Sequence, residues 1–194
     1  MKRTLGALAI FAAVVFGHNT AAFAAQFAAD MVSSASGQTT QAKISVKEKK
    51  SRVEMAEMIM INRGDLGLAW MLMPTQGIYM EHPVDQKMLS RTSKEVDGET
   101  ERVPMGQEAV DGQPCDKFKV TYTVSGVSES MYQWIGRNGI PLKQEALDSS
   151  WSVEYHNVTT GGLDDSLFEI PPGYQKMQMS SMAQYAAAAA QSEQ

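Results

Sequence analysis

The chain has 194 residues, with 17 Lys and Arg against 22 Asp and Glu. A net charge of −5 gives it no electrostatic reason to seek nucleic acid or anionic lipid surfaces. Cys115 is the only cysteine, which excludes an internal disulfide; it is expected to be a partly buried thiol. The compositional anomaly is methionine, 14 in all, a soft and adaptable side chain suited to filling a core or to receiving a greasy ligand.

The first residues have the order of an export signal: Lys2 and Arg3, an apolar run from Leu5 to Phe16, then small residues at cleavage spacing. Ala22-Phe23-Ala24 and Phe23-Ala24-Ala25 compete as cleavage sites, so residues 1–25 are expected to be a signal peptide, with Ala25 or Gln26 opening the mature chain. The apolar run is about half the roughly twenty residues a membrane-spanning helix needs. Loss of Lys2 and Arg3 would leave 15 basic against 22 acidic residues, a net charge of −7. A periplasmic protein is expected, with residues 26–176 as one domain and 177–194 as a Met- and Ala-rich tail, flexible or a short helix.

Along the mature chain, apolar and polar residues alternate with period two. Ala42, Ile44 and Val46 form one such set; Phe118, Val120, Tyr122 and Val124 a second; Trp151, Val153 and Tyr155 a third. Each predicts an antiparallel strand with one face to a core and one to water. Turn chemistry separates the strands: Glu48-Lys49-Lys50, Asn62-Arg63-Gly64-Asp65, Ser125-Gly126, and Asn138-Gly139, both of whose residues tolerate positive φ. The last turn is expected to join Met131–Gly136 to Ile140–Leu147, and consecutive hairpins make a meander.

Glu57 to Ile61 and Leu68 to Met73 break the alternation, because they are apolar on both faces. Strands of that kind need cover on both sides, from the core on one and from a helix, loop, partner or ligand on the other. Residues 82 to 105 are polar: Val84, Met88 and Leu89 suggest a short helical face after Pro83, and Arg91 to Arg102 reads as a mobile loop.

Catalytic patterns are absent: there is no phosphate loop, no nucleophile elbow and no paired-histidine helix, and no enzyme is expected. His82 and His156 are expected to be solvated, Asp164-Asp165 and Glu99/Glu101 to serve turns or loops, and the basic set Lys43, Lys47, Lys49, Lys50 and Arg52 to face water on a hairpin. Met177-Gln178-Met179 with Met182 offers soft thioethers for Cu(I), though with no His or Cys nearby; no metal or other cofactor is assigned.

The order of short motifs is itself informative. Lys50-Ser51-Arg52-Val53-Glu54 leads to Ile59-Met60-Ile61-Asn62-Arg63, Ala69-Trp70-Met71-Leu72-Met73-Pro74 and Ile78-Tyr79-Met80-Glu81. Gly106 to Gly112, Gly139-Ile140-Pro141-Leu142-Lys143 and Leu167-Phe168-Glu169-Ile170-Pro171-Pro172-Gly173-Tyr174 follow. This order resembles the periplasmic lipoprotein-localisation factors LolA and LolB, and most of all their uncharacterised relatives. The resemblance implies a mainly β fold, a curved antiparallel sheet forming an unclosed half-barrel with a few covering helices, over an apolar cavity that holds acyl chains of lipids or lipoproteins. The long lid helices of the transport factors have no counterpart in the sequence unless residues 83–90 and the tail serve. The expected function is non-catalytic binding of a hydrophobic ligand, with carriage of that ligand as its extension and Met58, Met60, Trp70, Met71, Leu72, Met73, Tyr79 and Trp134 as the expected liners. Tyr174 and Phe168 are expected to pin the last strand. The alternatives are a periplasmic module whose second apolar face docks a protein partner, and a Cu(I)-binding protein using Met177 to Met182.

Overall fold

A computed structural model describes residues 26–85, 91–124 and 126–178. The expected signal peptide, Met88, Leu89, Ser125 and the tail from Met179 onward, Met182 included, lie outside the described residues.

The alternating segments become strands, eleven of which pair with a chain neighbour. They are β1 (Gln26–Ala35), β2 (Gln38–Lys47), β3 (Lys50–Glu54), β4 (Ile59–Arg63), β5 (Leu68–Met73) and β6 (Ile78–Pro83), then β7 (Glu99–Val110), β8 (Gln113–Val124), β9 (Val127–Ile135), β10 (Pro141–Ala146), β11 (Trp151–Thr160) and the short β12 (Gln175–Lys176). All belong to one 12-stranded sheet of order β12-β6-β5-β4-β3-β2-β1-β11-β10-β9-β8-β7, whose ends do not meet. This is the mainly β, unclosed half-barrel implied above. Among the described strands only β12 runs parallel to its neighbour, β6.

Turn residues set the hairpins. Ser36-Gly37 and Asp111-Gly112 both take positive φ at both positions, the twist that matches paired strands. Glu48 takes positive φ in the turn between Lys47 and Lys50, where the charged tip is expected. Two meanders, β2–β6 and β7–β11, are held together by β1, which pairs Met31 with Ala42 on one side and Tyr155 on the other. Phe27, fully buried, lies 5.7 Å from the Tyr155 ring and joins Ile44, Val46, Val53, Val153 and Leu142 in the main core.

Two irregular segments do the covering expected of helices; among the described residues the sole helical element is a 3-10 turn, Asp165–Phe168. The first cover is a strap, Arg91 to Gly98. The second is the C-terminal stretch Leu163 to Tyr174. The segment Arg91 to Arg102, read above as a mobile loop, is therefore ordered: its first part is the strap and its end begins β7. Sequence periodicity misses it because β7 is an edge strand exposed on both faces, ordered through its backbone pairing with β8. Register shifts at Glu99/Glu101 and Pro104/Gly106 kink that edge, a device that blunts pairing with other chains.

Candidate functional site

Strands β4 and β5 carry the unusual two-faced pattern, and the ladder register sorts their residues. Ile61 opposes Trp70, which opposes Glu81; Ile59 opposes Leu72, which opposes Tyr79. Opposed residues share a face. This face is closed by the protein itself: Ile61, Trp70 and Leu72 pack with the fully buried Phe168, flanked by Leu163, Leu167, Ile170 and Tyr174. Charge fastens the cover. Lys47 and Lys50 reach Asp165 at 3.1 and 3.0 Å, Arg52 donates to Leu167 O, and Arg63 donates to Phe168 O and pairs with Glu169 at 2.6 Å. The basic hairpin expected to face water is thus largely a clasp for the C-terminal segment. Asp164, expected in a turn, caps the 3-10 turn by accepting from Ser166 N. Phe168 and Tyr174 hold this segment down as expected.

The opposite face of the same strands holds the methionines. Val53 opposes Met60, Met60 opposes Met71, and Met71 opposes Met80, a row running straight across β3 to β6. Met73, opposite Ile78, extends it on one side. On the other side the next row is Ser51, Asn62, Ala69 and His82. Met60, Met71 and Met73 are half-buried, as is Met58 in the turn before β4, whereas Met80 and Ala69 are buried. Asn62 donates to Ser51 Oγ at 3.0 Å, so this buried polar pair is satisfied.

His82 departs from the expected solvated loop. It sits in β6, half-buried, with Nδ1 2.9 Å from Pro83 O and with Nε2 buried and without a hydrogen-bond partner among the described residues. His156 is also half-buried, with Asp111 and Glu154 each 3.5 Å from a ring nitrogen.

The eight expected liners are therefore divided. Trp70, Leu72 and Tyr79 serve the closed face; Met60, Met71 and Met73 share the methionine face, with Met58 beside β4. Trp134 lies on β9, seven strands from β5 in the sheet order, but the curved sheet brings it into the main core, against which Met60 also packs. There it is buried, donates from Nε1 to Glu108 at 2.8 Å, and carries the Lys117 and Lys143 ammonium groups 4.6 and 5.1 Å from its ring. Lys117, bonded to the Glu108 carboxylate, holds that group below the usual carboxylate range, with the Trp134 N–H adding to the effect. Cys115 is buried as expected, and desolvation pushes its thiol pKa up.

The strap covers the far half of the sheet on the side that bears Gln133, Gln144 and Tyr155. Gln133 Nε2 donates to Ser93 O and its Oε1 accepts from Arg102 Nη1; Gln144 Nε2 donates to Arg91 O. Arg102 also reaches Lys94 O and Glu99 and stacks over Phe118, while Val96 packs with Val120, Tyr122 and Met131. These strap-holding residues were missed in the sequence. Their signal was available: Gln133 stands between Met131 and Ile135, and Gln144 between Leu142 and Ala146, at positions that share a strand face with those apolar residues.

A half-open recess of about 370 Å³ lies at the hairpin tips, lined by Gln113, Arg137, Ile140, Leu142, Val158 and Thr160 among others. No group of three or more His, Cys, Asp or Glu that could hold a metal occurs among the described residues. No described helix is long and apolar enough to cross a membrane.

Comparison with solved structures places this sheet among known folds. The crystal structure of MucB is 13% identical, with a TM-score of 0.50, covering 80% of this chain and 60% of MucB. The complex of Pseudomonas aeruginosa MucA and MucB gives a TM-score of 0.49 at 14% identity, covering 79% of this chain and 58% of the other. The lipoprotein LppX of Mycobacterium tuberculosis gives 0.43 at 13% identity, covering 71% of this chain and 88% of LppX. The chain thus spans less than two thirds of MucB, and the likeness to it is one of fold. No functionally curated protein matches the sequence. One family does match, over residues 19–138, well over half of the chain, and the protein belongs to it: the family described as a domain of unknown function, DUF4412.

Proposed function

We propose that the protein is a non-catalytic periplasmic binding protein that holds a hydrophobic ligand, the acyl chain of a lipid or lipoprotein, and carries it between membranes. The observation that carries this reading is the division of β4 and β5. Both faces are apolar, yet the C-terminal segment closes one, leaving Met58, Met60, Met71 and Met73 half-buried on or beside the other. Thioether side chains adapt to an acyl chain of irregular path. Each Å² of apolar surface removed from water contributes about 25 cal/mol before ordering costs. The resemblance to the lipoprotein-localisation factors and the expected export signal support the same reading.

Native mass spectrometry of protein purified from periplasm tests it. A co-purifying lipid, together with at least tenfold weaker uptake of a fluorescent fatty acid by a folded Met71→Glu variant, is the expected result. Protein that emerges empty and takes up no fatty acid after delipidation overturns the proposal.

A further inference from the structure

The methionine row and His82 together have a property that apolar binding does not use. Residues directly opposed on antiparallel strands hold their Cβ atoms about 5 Å apart. Met60, Met71 and Met80 are opposed in succession, so three thioethers on flexible arms rise from one face within reach of a common point above Met71. His82 stands two residues from Met80 on the same strand and face, opposite the small side chain of Ala69. Ala69 leaves room for the imidazole to lean toward the row.

The hydrogen bonding of His82 fixes which nitrogen is free. Nδ1, 2.9 Å from Pro83 O, can only donate there, since a carbonyl has no proton to give. Nε2 then carries the lone pair, and it is buried without a partner among the described residues. A histidine that ligates a metal commonly donates its other ring N–H to a backbone carbonyl, which fixes the ring and its tautomer. A buried imidazole nitrogen with nothing to accept from is otherwise a cost to the fold.

From these residues we infer that Met60, Met71, Met80 and His82 form a binding site for a soft monovalent metal ion, Cu(I) in its physiological form. Thioethers are poor ligands for Zn(II), Mg(II) or Ca(II) and good ones for Cu(I), and neutral imidazole suits copper as well. The site holds no carboxylate or thiolate, so it favours a singly charged ion. It differs from the Met177–Met182 cluster in having a nitrogen donor.

Binding of Ag(I), a redox-silent probe, by the delipidated mature chain tests the site, with Cu(I) held reduced by ascorbate and competed against a chromogenic chelator. One ion per chain is expected. Met80→Leu with His82→Ala should weaken binding at least a hundredfold, and His82→Ala alone at least tenfold. Leucine keeps the apolar volume at Met80 at small cost to the fold, and neither Met80 nor His82 is among the residues proposed to receive the acyl chain, so the double variant should still take up the fluorescent fatty acid. That result separates the metal site from the acyl reading, which either can survive without the other. Nitrogen-15 NMR of the wild-type chain should show the His82 Nε2 resonance moving on addition of Ag(I). The inference is overturned by an absence of Ag(I) binding, by binding that persists unchanged in the folded double variant, or by binding that leaves the His82 resonance in place.

Discussion

At the scale of single residues, burial sets the protein's response to alkali. Tyr122 is buried, and desolvation, reinforced by the Glu129 carboxylate that accepts its O–H, pushes its pKa up to about 12. The same cause raises Tyr155. A folded-state pKa above the unfolded value of about 10 means that the unfolded chain gives up its proton first as the pH rises. The contribution to stability is therefore complete below about pH 10 and is lost between about pH 10 and 12, at up to about 1.4 kcal/mol per pH unit for each such tyrosine. Urea unfolding measured at pH 9, 10, 11 and 12 should show this decline. Tyr122→Phe should flatten it without abolishing it, because Tyr155 titrates in the same direction.

Elements owe their order here to polar anchors as much as to apolar contact. The strap from Arg91 to Gly98 has few large apolar residues, with Val96 its main insertion into the core. Its backbone carbonyls are instead bound by Gln133, Gln144 and Arg102. Gly98, at φ +73, is the joint at its end, and a Cβ there would run into Thr123 O. Gln133→Leu would leave Ser93 O and one Arg102 N–H without their partner, at a cost of about 2 kcal/mol. The expected outcome is faster amide hydrogen exchange across residues 92–98, with β3 to β6 unaffected. The C-terminal clasp obeys the same logic, with Lys50, Arg52 and Arg63 bonded to a segment more than 100 residues away in sequence.

For the molecule as a whole, β1 decides whether there is one sheet or two. Its neighbours, β2 and β11, come from the two meanders, and its pairing with β11 joins positions more than 100 residues apart. Phe27, fully buried between the two, is the packing counterpart of that hydrogen-bonded seam. Phe27→Ala should destabilise the protein by about 3–5 kcal/mol. The fluorescence transitions of Trp70 in one meander and Trp134 in the other, followed in single-tryptophan variants, should shift together; a shift confined to one would show that the meanders unfold independently.

Much of this was legible in the sequence, because strands and hairpins are specified locally. The sets Ile44/Val46, Val120/Tyr122 and Val153/Tyr155 alternate as their buried positions do, and Asn138-Gly139 turns where its backbone freedom allows. The need of β4 and β5 for two covers was also written in their residues. Which cover each face receives was not. Trp70 and Met71 are neighbours in sequence yet face opposite ways, and only the docking of Phe168 from the chain's far end makes one of those faces core. The strap was invisible for a related reason, since its order comes from carbonyls bound by distant glutamines rather than from any pattern of its own. Alternation and turn chemistry act over a few residues and need only the local chain; which segment covers each face depends on long-range contacts that exist only once the sheet has formed.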